Sequence, residues 1–344
     1  MILVIVFYFI FILFLLLMVA LLVLLERKVL GLAQIRKGPN IVGIYGLMQT
    51  ILDGGKLILK KLMVLFNIRK FFFLLSPILG FVLSLMNWFF IPTPFILFHS
   101  EYGILLTLVI SSLLVYTTLW AGWGSNNIYS LIGGIRGVAQ MISYEVVLGF
   151  FIMLLLLLMG SYNWEFFLYF QSSYVFWGGM FMFMVSWIGM MLAELNRAPF
   201  DLIEGESELV SGFNVEYGGF IFALLFLGEY MNIWFMSWIT ILLFFGGGYF
   251  LVIKSFVVVL VILYIRSLLP RFKFTDLIMI TWKIYLPLVL MFFFVLIVWM
   301  SVQSGDLWVY DWFENEKAKW VDALANLEPK SWEDLQIEAN LLRS

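Results

Sequence analysis

The chain has 344 residues, 64% of them apolar and 12% charged, with a formal net charge of -2 and a mean hydropathy of +1.05. So few charges cannot clothe a water-soluble domain of this size, and apolar runs of about 20 residues, enough to cross a bilayer, recur along it. The absence of cysteine excludes iron–sulfur clusters, thiolate zinc sites and disulfides, and a single histidine, His99, excludes haem held by paired imidazoles.

Hydropathy predicts an all-α integral membrane protein with eight spans, at residues 2–25, 71–91, 103–123, 145–163, 174–193, 218–243, 249–268 and 283–302. Residues 1–25 are too long for a signal-peptide core and lack a basic leader and a small-residue cleavage site, so they are expected to remain as the first span. Gly246, Gly247 and Gly248 separate the sixth and seventh spans, where freedom at positive φ suits a tight reversal. Phenylalanine is abundant, with 37 residues, as the codons of an AT-rich organellar genome would produce.

Lysine and arginine set the expected orientation. The first loop carries nine of them between Arg27 and Lys70, the third Arg136, the fifth Arg197, and the seventh Arg266, Arg271, Lys273 and Lys283. The even loops carry none, so the odd loops are expected on the matrix or cytoplasmic side and both termini on the other. Within the first loop, Leu47, Ile51, Ile58 and Leu62 share one helical face, with Asp53, Lys56 and Lys60 opposite. That pattern predicts a helix lying flat at the membrane surface, or an ordinary basic segment beside it. His99, next to Glu101 in a short outside loop, reads as exposed and without a role. Residues 306–344 form an acidic extension, nine acids against four bases, with Trp308, Trp312, Trp320 and Trp332. It is expected to stand apart from the membrane domain of residues 1–305 as two short helices on the outside face.

An ionisable group inside a span costs several kcal/mol (~3) unless it faces protein or water, so each one marks a candidate site. Glu26 closes the first predicted span, Glu145 opens the fourth, Glu194 closes the fifth and Glu229 lies mid-way in the sixth. A buried partner for Glu229, such as Lys254, is the structural alternative to a proton-exchanging role. The fifth loop adds Asp201, Glu204, Glu206, Glu208 and Glu216. On a helix Glu204 and Glu208 would share a face, and like charges so close favour keeping one protonated. Arg197, three residues after Glu194, could pair with it. Spacing alone yields a carboxylate path open to one side, which suits a proton carrier, an ion channel or a quinone enzyme equally.

The segments LERKVLGLAQIRKGPN (25–40), SNNIYSLIGGIRGVAQMISYEV (125–146), LAELNRAPFDLIEGESELVSGFNVEY (192–217) and residues 265–287 resemble the signatures of the subunit 1 family of respiratory complex I, the H subunit of bacteria. The resemblance covers residues 1–302 in order and spacing. It implies eight tilted helices lining a quinone chamber closed by two hydrophilic partner subunits, beside adjacent membrane subunits and lipid. It further implies an acidic path of Glu26, Asp53, Glu145, Glu194, Glu204, Glu206 and Glu229, with Tyr230 beside the last. Arg27, Arg36 and Arg266 match arginines near the chamber entrance; Arg136, Arg197 and Arg271 match charged residues deeper in. Leu30, Leu32, Ile35, Phe200 and Phe213 could touch an isoprenoid tail, although core or lipid contact is the plainer reading of each aromatic. Ubiquinone is then the substrate, FMN and the iron–sulfur clusters sit on other subunits, no nucleic acid is involved, and the location is the mitochondrial inner membrane. Lys61 departs from the family pattern, in which many members carry an acid. The rival readings are the homologous subunit of a membrane-bound hydrogenase, a stand-alone transporter, whose internal repeats are not seen, and a structural anchor, which would leave Glu229 unexplained.

Overall fold

Every regular element among the described residues is helical, as a chain in lipid requires, because a helix satisfies its backbone hydrogen bonds within itself. The computed structural model describes residues 2–61, 68–92, 100–171, 180–202, 212–246 and 251–303. They form α1 (Ile2–Ala33), α2 (Met48–Leu59), α3 (Lys70–Trp88), α4 (Gly103–Gly124), α5 (Ile128–Met159), α6 (Trp164–Phe170), α7 (Phe181–Glu194), α8 (Gly219–Thr240), α9 (Leu251–Leu268), α10 (Phe274–Ile280) and α11 (Leu286–Gln303). A π-helical turn, Ile241–Phe245, extends α8, and another, Thr281–Tyr285, joins α10 to α11.

Among the described residues, seven helical stretches are long and apolar enough to span a membrane: Tyr8–Ala33, Lys70–Trp88, Gly103–Gly124, Ile128–Met159, Gly219–Phe245, Leu251–Leu268 and Phe274–Ser301. The remaining expected span, 174–193, overlaps the 14-residue α7, and residues 174–179 lie outside the described ones. The chain divides into two compact units, Met1–Val289 and Leu290–Ser344. In the first, α4 packs between α3 and α5, α8 packs on α3, and α1, α2 and α9 each touch α8. In the second, the described residues, 290–303, complete α11; the acidic extension, His99, Gly247 and Gly248 lie outside the described residues.

Several boundaries differ from expectation for one physical reason: charged and small polar residues that find partners inside the protein do not end a helix. α1 continues past Glu26 to Ala33, because Glu26 and Arg27 are both paired. α5 begins at Ile128 rather than 145, so Arg136 lies in a helix instead of a loop and Glu145 sits within the helix instead of opening it. The extra turns carry Ser130, Gly133, Gly134, Gly137 and Gln140, all buried. Gly133 lets this part of α5 approach the Gly212–Asn214 turn so closely that a Cβ would stand 3.0 Å from the Phe213 backbone nitrogen. Lys283, which is exposed, lies in the π turn of a continuous helix rather than in a loop. α6 was not expected. Gly246 does take positive φ, 64°, where α8 ends.

The amphipathic helix expected in the first loop is present as α2, with Leu62 of its expected apolar face outside the described residues. None of its residues is buried, and Leu47, Ile51 and Ile58 are exposed, an apolar face suited to a membrane surface. Along α1, Phe9, Ile10, Leu13, Phe14 and Leu17 are exposed in the same way, the expected finish of a lipid-facing helix. Deeper in the first unit, Phe151, Trp187 and Phe244 pack at centroid distances of 5.2–6.3 Å.

Candidate functional site

Four segments bring charge to one place. α1 supplies Glu26, α8 supplies Glu229 and Tyr230, α9 supplies Arg266, and the chain just after α7 supplies Arg197. Glu26 is buried and has three partners: its Oε1 pairs with Arg266 and lies 3.8 Å from Arg197 Nη1, and its Oε2 accepts a hydrogen bond of 2.6 Å from the Tyr230 hydroxyl. Arg197 is also buried. Its guanidinium stands 4.6 Å over the Tyr230 ring, and its Nη2 is 3.8 Å from Glu229 Oε2. Two arginines thus offset two glutamates, which is what permits ionised groups in a region of low dielectric.

Arg197 reaches this cluster because α7 stops at Glu194. Asn196 takes left-handed φ, 51°, and the chain turns away, so the helical pairing of Glu194 with Arg197 expected from their spacing gives way to pairing with Glu26 and Glu229. Lys254 is not the partner of Glu229; its ammonium donates to the carbonyls of Phe245 and Gly246 at 2.9 and 3.4 Å. Nor is Glu229 sealed from solvent: its side chain is 30% exposed, because it opens onto a cleft.

That cleft, about 90 Å3 and partly open, is lined by Glu194, Asn196, Arg197, Glu229 and Asn232 among polar residues, with Thr117, Thr118 and Phe213. A second, smaller one of about 20 Å3 is lined by Glu145, Glu194, Thr107 and Ser111 together with Leu148, Trp187 and Phe235. Glu194 belongs to both, and its Oε2 is buried without a hydrogen-bond partner among the described residues. Glu26, Glu229, Glu194 and Glu145 therefore follow one another through Arg197 and two clefts. The larger cleft has room for several waters and the smaller, mainly apolar one for about one, and carboxylates joined by water can exchange protons.

Of the other sequence-derived candidates, Phe213 borders this row and the rest that are described lie apart from it. Asp53, on α2, pairs with Arg27 at 2.6 Å and accepts from Gln49 at 2.9 Å, at the surface. Arg36 is exposed and donates to Gln34 at 2.9 Å. Arg136 is half-buried on α5. Arg271 stands 3.4 Å from the buried Asp201. Phe200 is buried against Phe272 and Tyr144, and Phe213 is buried at the edge of the larger cleft. Glu204, Glu206 and Glu208 lie outside the described residues. The pairings Asp201–Arg271 and Asn127–Glu216, the latter 2.8 Å, were not foreseen; their partners are far apart in sequence and no local spacing signals them.

The fold and site define a polytopic helical membrane protein with two glutamates paired to arginines in its interior and two further glutamates beside them. Residues 6–297 match the NADH dehydrogenase family, and the chain belongs to it. Similar proteins include the NADH-ubiquinone oxidoreductase chain 1 of Varanus jobiensis, 45% identical over 278 residues, covering 78% of this chain and 87% of that one. That of Patiria pectinifera is 43% identical over 294 residues, 82% of this chain and 90% of the relative. That of Metridium senile is 43% identical over 287 residues, 79% and 86% respectively.

Proposed function

We propose that this chain is the core membrane subunit of an NADH-ubiquinone oxidoreductase, a respiratory complex I, and that its row of carboxylates links quinone reduction to proton translocation. The observation that carries the reading is Arg197 held between Glu26 and Glu229, at a cleft that shares Glu194 with the Glu145 cleft. Reducing a quinone takes up protons and changes the charge nearby. A cluster in which two arginines balance two glutamates responds to such a change by altering its proton occupancy, and groups coupled this closely titrate together. Tyr230 and the row Glu26, Glu229, Glu194 and Glu145 would carry the protons, with Asp53, Glu204 and Glu206 at the side facing the partner subunits.

The quinone chamber would be formed by Arg27, Arg36, Arg136, Arg197, Arg266 and Arg271 with Phe200 and Phe213, closed by two hydrophilic subunits. Leu32 and the 98% exposed Ile35 offer apolar surface to an isoprenoid tail or to lipid. FMN and the iron–sulfur clusters would lie on other subunits, this chain supplying a path and not a redox centre. The setting is the mitochondrial inner membrane, with both termini on the intermembrane-space side and the acidic extension against an accessory subunit or the membrane surface. Purifying the native assembly through this chain tests the reading: hydrophilic subunits and NADH-quinone reductase activity should come with it. Co-purification with a hydrogenase and no quinone activity would contradict it.

A further inference from the structure

One residue of α5 holds the segment that carries Arg197 at two points, on either side of its reversal. Gln140 of α5 is fully buried, and its Nε2 donates to the carbonyl of Ala193 and to that of Phe200, each at 2.9 Å. Ala193 is in the last turn of α7 and Phe200 lies beyond the reversal at Asn196, so a single side-chain amide ties together the two ends of the segment that presents Glu194 and Arg197. One turn along α5, on the same face, Tyr144 sets its ring 6.0 Å from Phe200, which stacks on Phe272 at 5.5 Å. The backbone N–H of Phe272 donates to the carbonyl of Pro199 at 3.0 Å. Gln140 uses both of its amide hydrogens on this segment, while its Oε1 is buried without a hydrogen-bond partner among the described residues. Burying an unmet acceptor is unfavourable, so the residue is held there by its two donated bonds.

We infer that Gln140 is a positioning residue that sets Arg197 between Glu26 and Glu229, an inference that rests on the proposed role of that cluster. A side chain that loses these bonds removes the tie between the two ends of the 193–200 segment, leaving the far end to the contacts of Phe272, and Arg197, 3.8 Å from each carboxylate, has no slack to absorb a shift. A residue that merely fills space would be replaceable by methionine, which matches glutamine in length without its donors.

The experiment is a double-mutant cycle on the assembled, purified complex, with Gln140→Met, Arg197→Lys and the double variant. Gln140→Met should lower kcat for coupled quinone reduction about tenfold, the scale of two lost hydrogen bonds, with the quinone KM little changed. In the Arg197→Lys background the same change should add less than about twofold. Losses that multiply, or normal turnover in Gln140→Met where Arg197→Lys is impaired, would overturn the inference. If Gln140→Met does not assemble, Gln140→His, which keeps one donor, takes its place in the cycle with the same outcomes. A separate readout, the rate at which phenylglyoxal modifies Arg197, followed by peptide mass spectrometry, does not depend on the proton-relay reading. It should rise at least about fivefold in the Gln140 variant as the buried arginine loosens, and an unchanged rate contradicts positioning. Normal coupling in Arg197→Lys with faster modification in Gln140→Met would reject the relay and retain the positioning.

Discussion

The Tyr230 hydroxyl donates to Glu26 Oε2 over 2.6 Å while its ring lies under the Arg197 guanidinium, so one side chain of α8 supports both charges of a buried ion pair. The two contacts can be separated. Tyr230→Phe keeps the ring and its attraction for the cation but removes the donor, leaving Glu26 with its two arginines. Coupled quinone reduction should fall about tenfold, the scale of a hydrogen bond to a charged group, with the complex still assembled on native gels. A variant with normal turnover would show that the hydroxyl has no part in the path.

Close packing of α5 on the Gly212–Asn214 turn makes a second prediction. A methyl group at Gly133 would stand 3.0 Å from Phe213 N and 3.1 Å from two Gly212 backbone atoms, none of which is a flexible side-chain end. Gly133→Ala should cost about 1–3 kcal/mol of stability by overpacking and push the Phe213 turn against the larger cleft, lowering turnover. On the same helix Gly149 has nothing within 4 Å of such a methyl group, so Gly149→Ala serves as the tolerated control. Thermal inactivation of the two variants, compared with the parent, measures the difference.

Tyr217 gives a prediction in pH. Burial pushes its phenol up to about 12, partly offset by its hydrogen bond with Ser76, 3.1 Å away, and the ring stacks on Phe73 at 4.2 Å. An unfolded tyrosine titrates near 10 (about), so the folded state holds this proton more tightly. The stability this group contributes is therefore complete below pH ~10 and is lost as pH rises through the folded value. The parent should lose heat resistance over that interval more steeply than Tyr217→Phe, which has no proton to release. Parallel curves for the two proteins would contradict the assignment.

Much of the architecture was legible in the sequence wherever hydropathy is bounded by charge or turn residues. The expected span 103–123 is the helix Gly103–Gly124, and 71–91 is Lys70–Trp88. α5 was misjudged because Ser130, Gly133, Gly134 and Gln140 read as a polar loop, although each is buried against another element. The acids Glu26 and Glu229 were visible as charges where lipid forbids them; Arg197 as their common partner was not, since the turn at Asn196 decides where it points. Gln140 left no signal at all, because an uncharged amide acquires meaning only from the carbonyls it meets.

The most direct test of a proton path through this row is Glu229→Gln, which keeps the shape of the side chain beside Arg197 but cannot give up a proton. Glu229 opens onto the larger cleft together with Glu194 and joins that cleft to Glu26 through Arg197. Measured in reconstituted vesicles, the assembled variant is expected to lose most of its coupled quinone reduction and its proton translocation, about tenfold or more. Proton translocation at the parent rate, coupled to normal quinone reduction, would contradict the account.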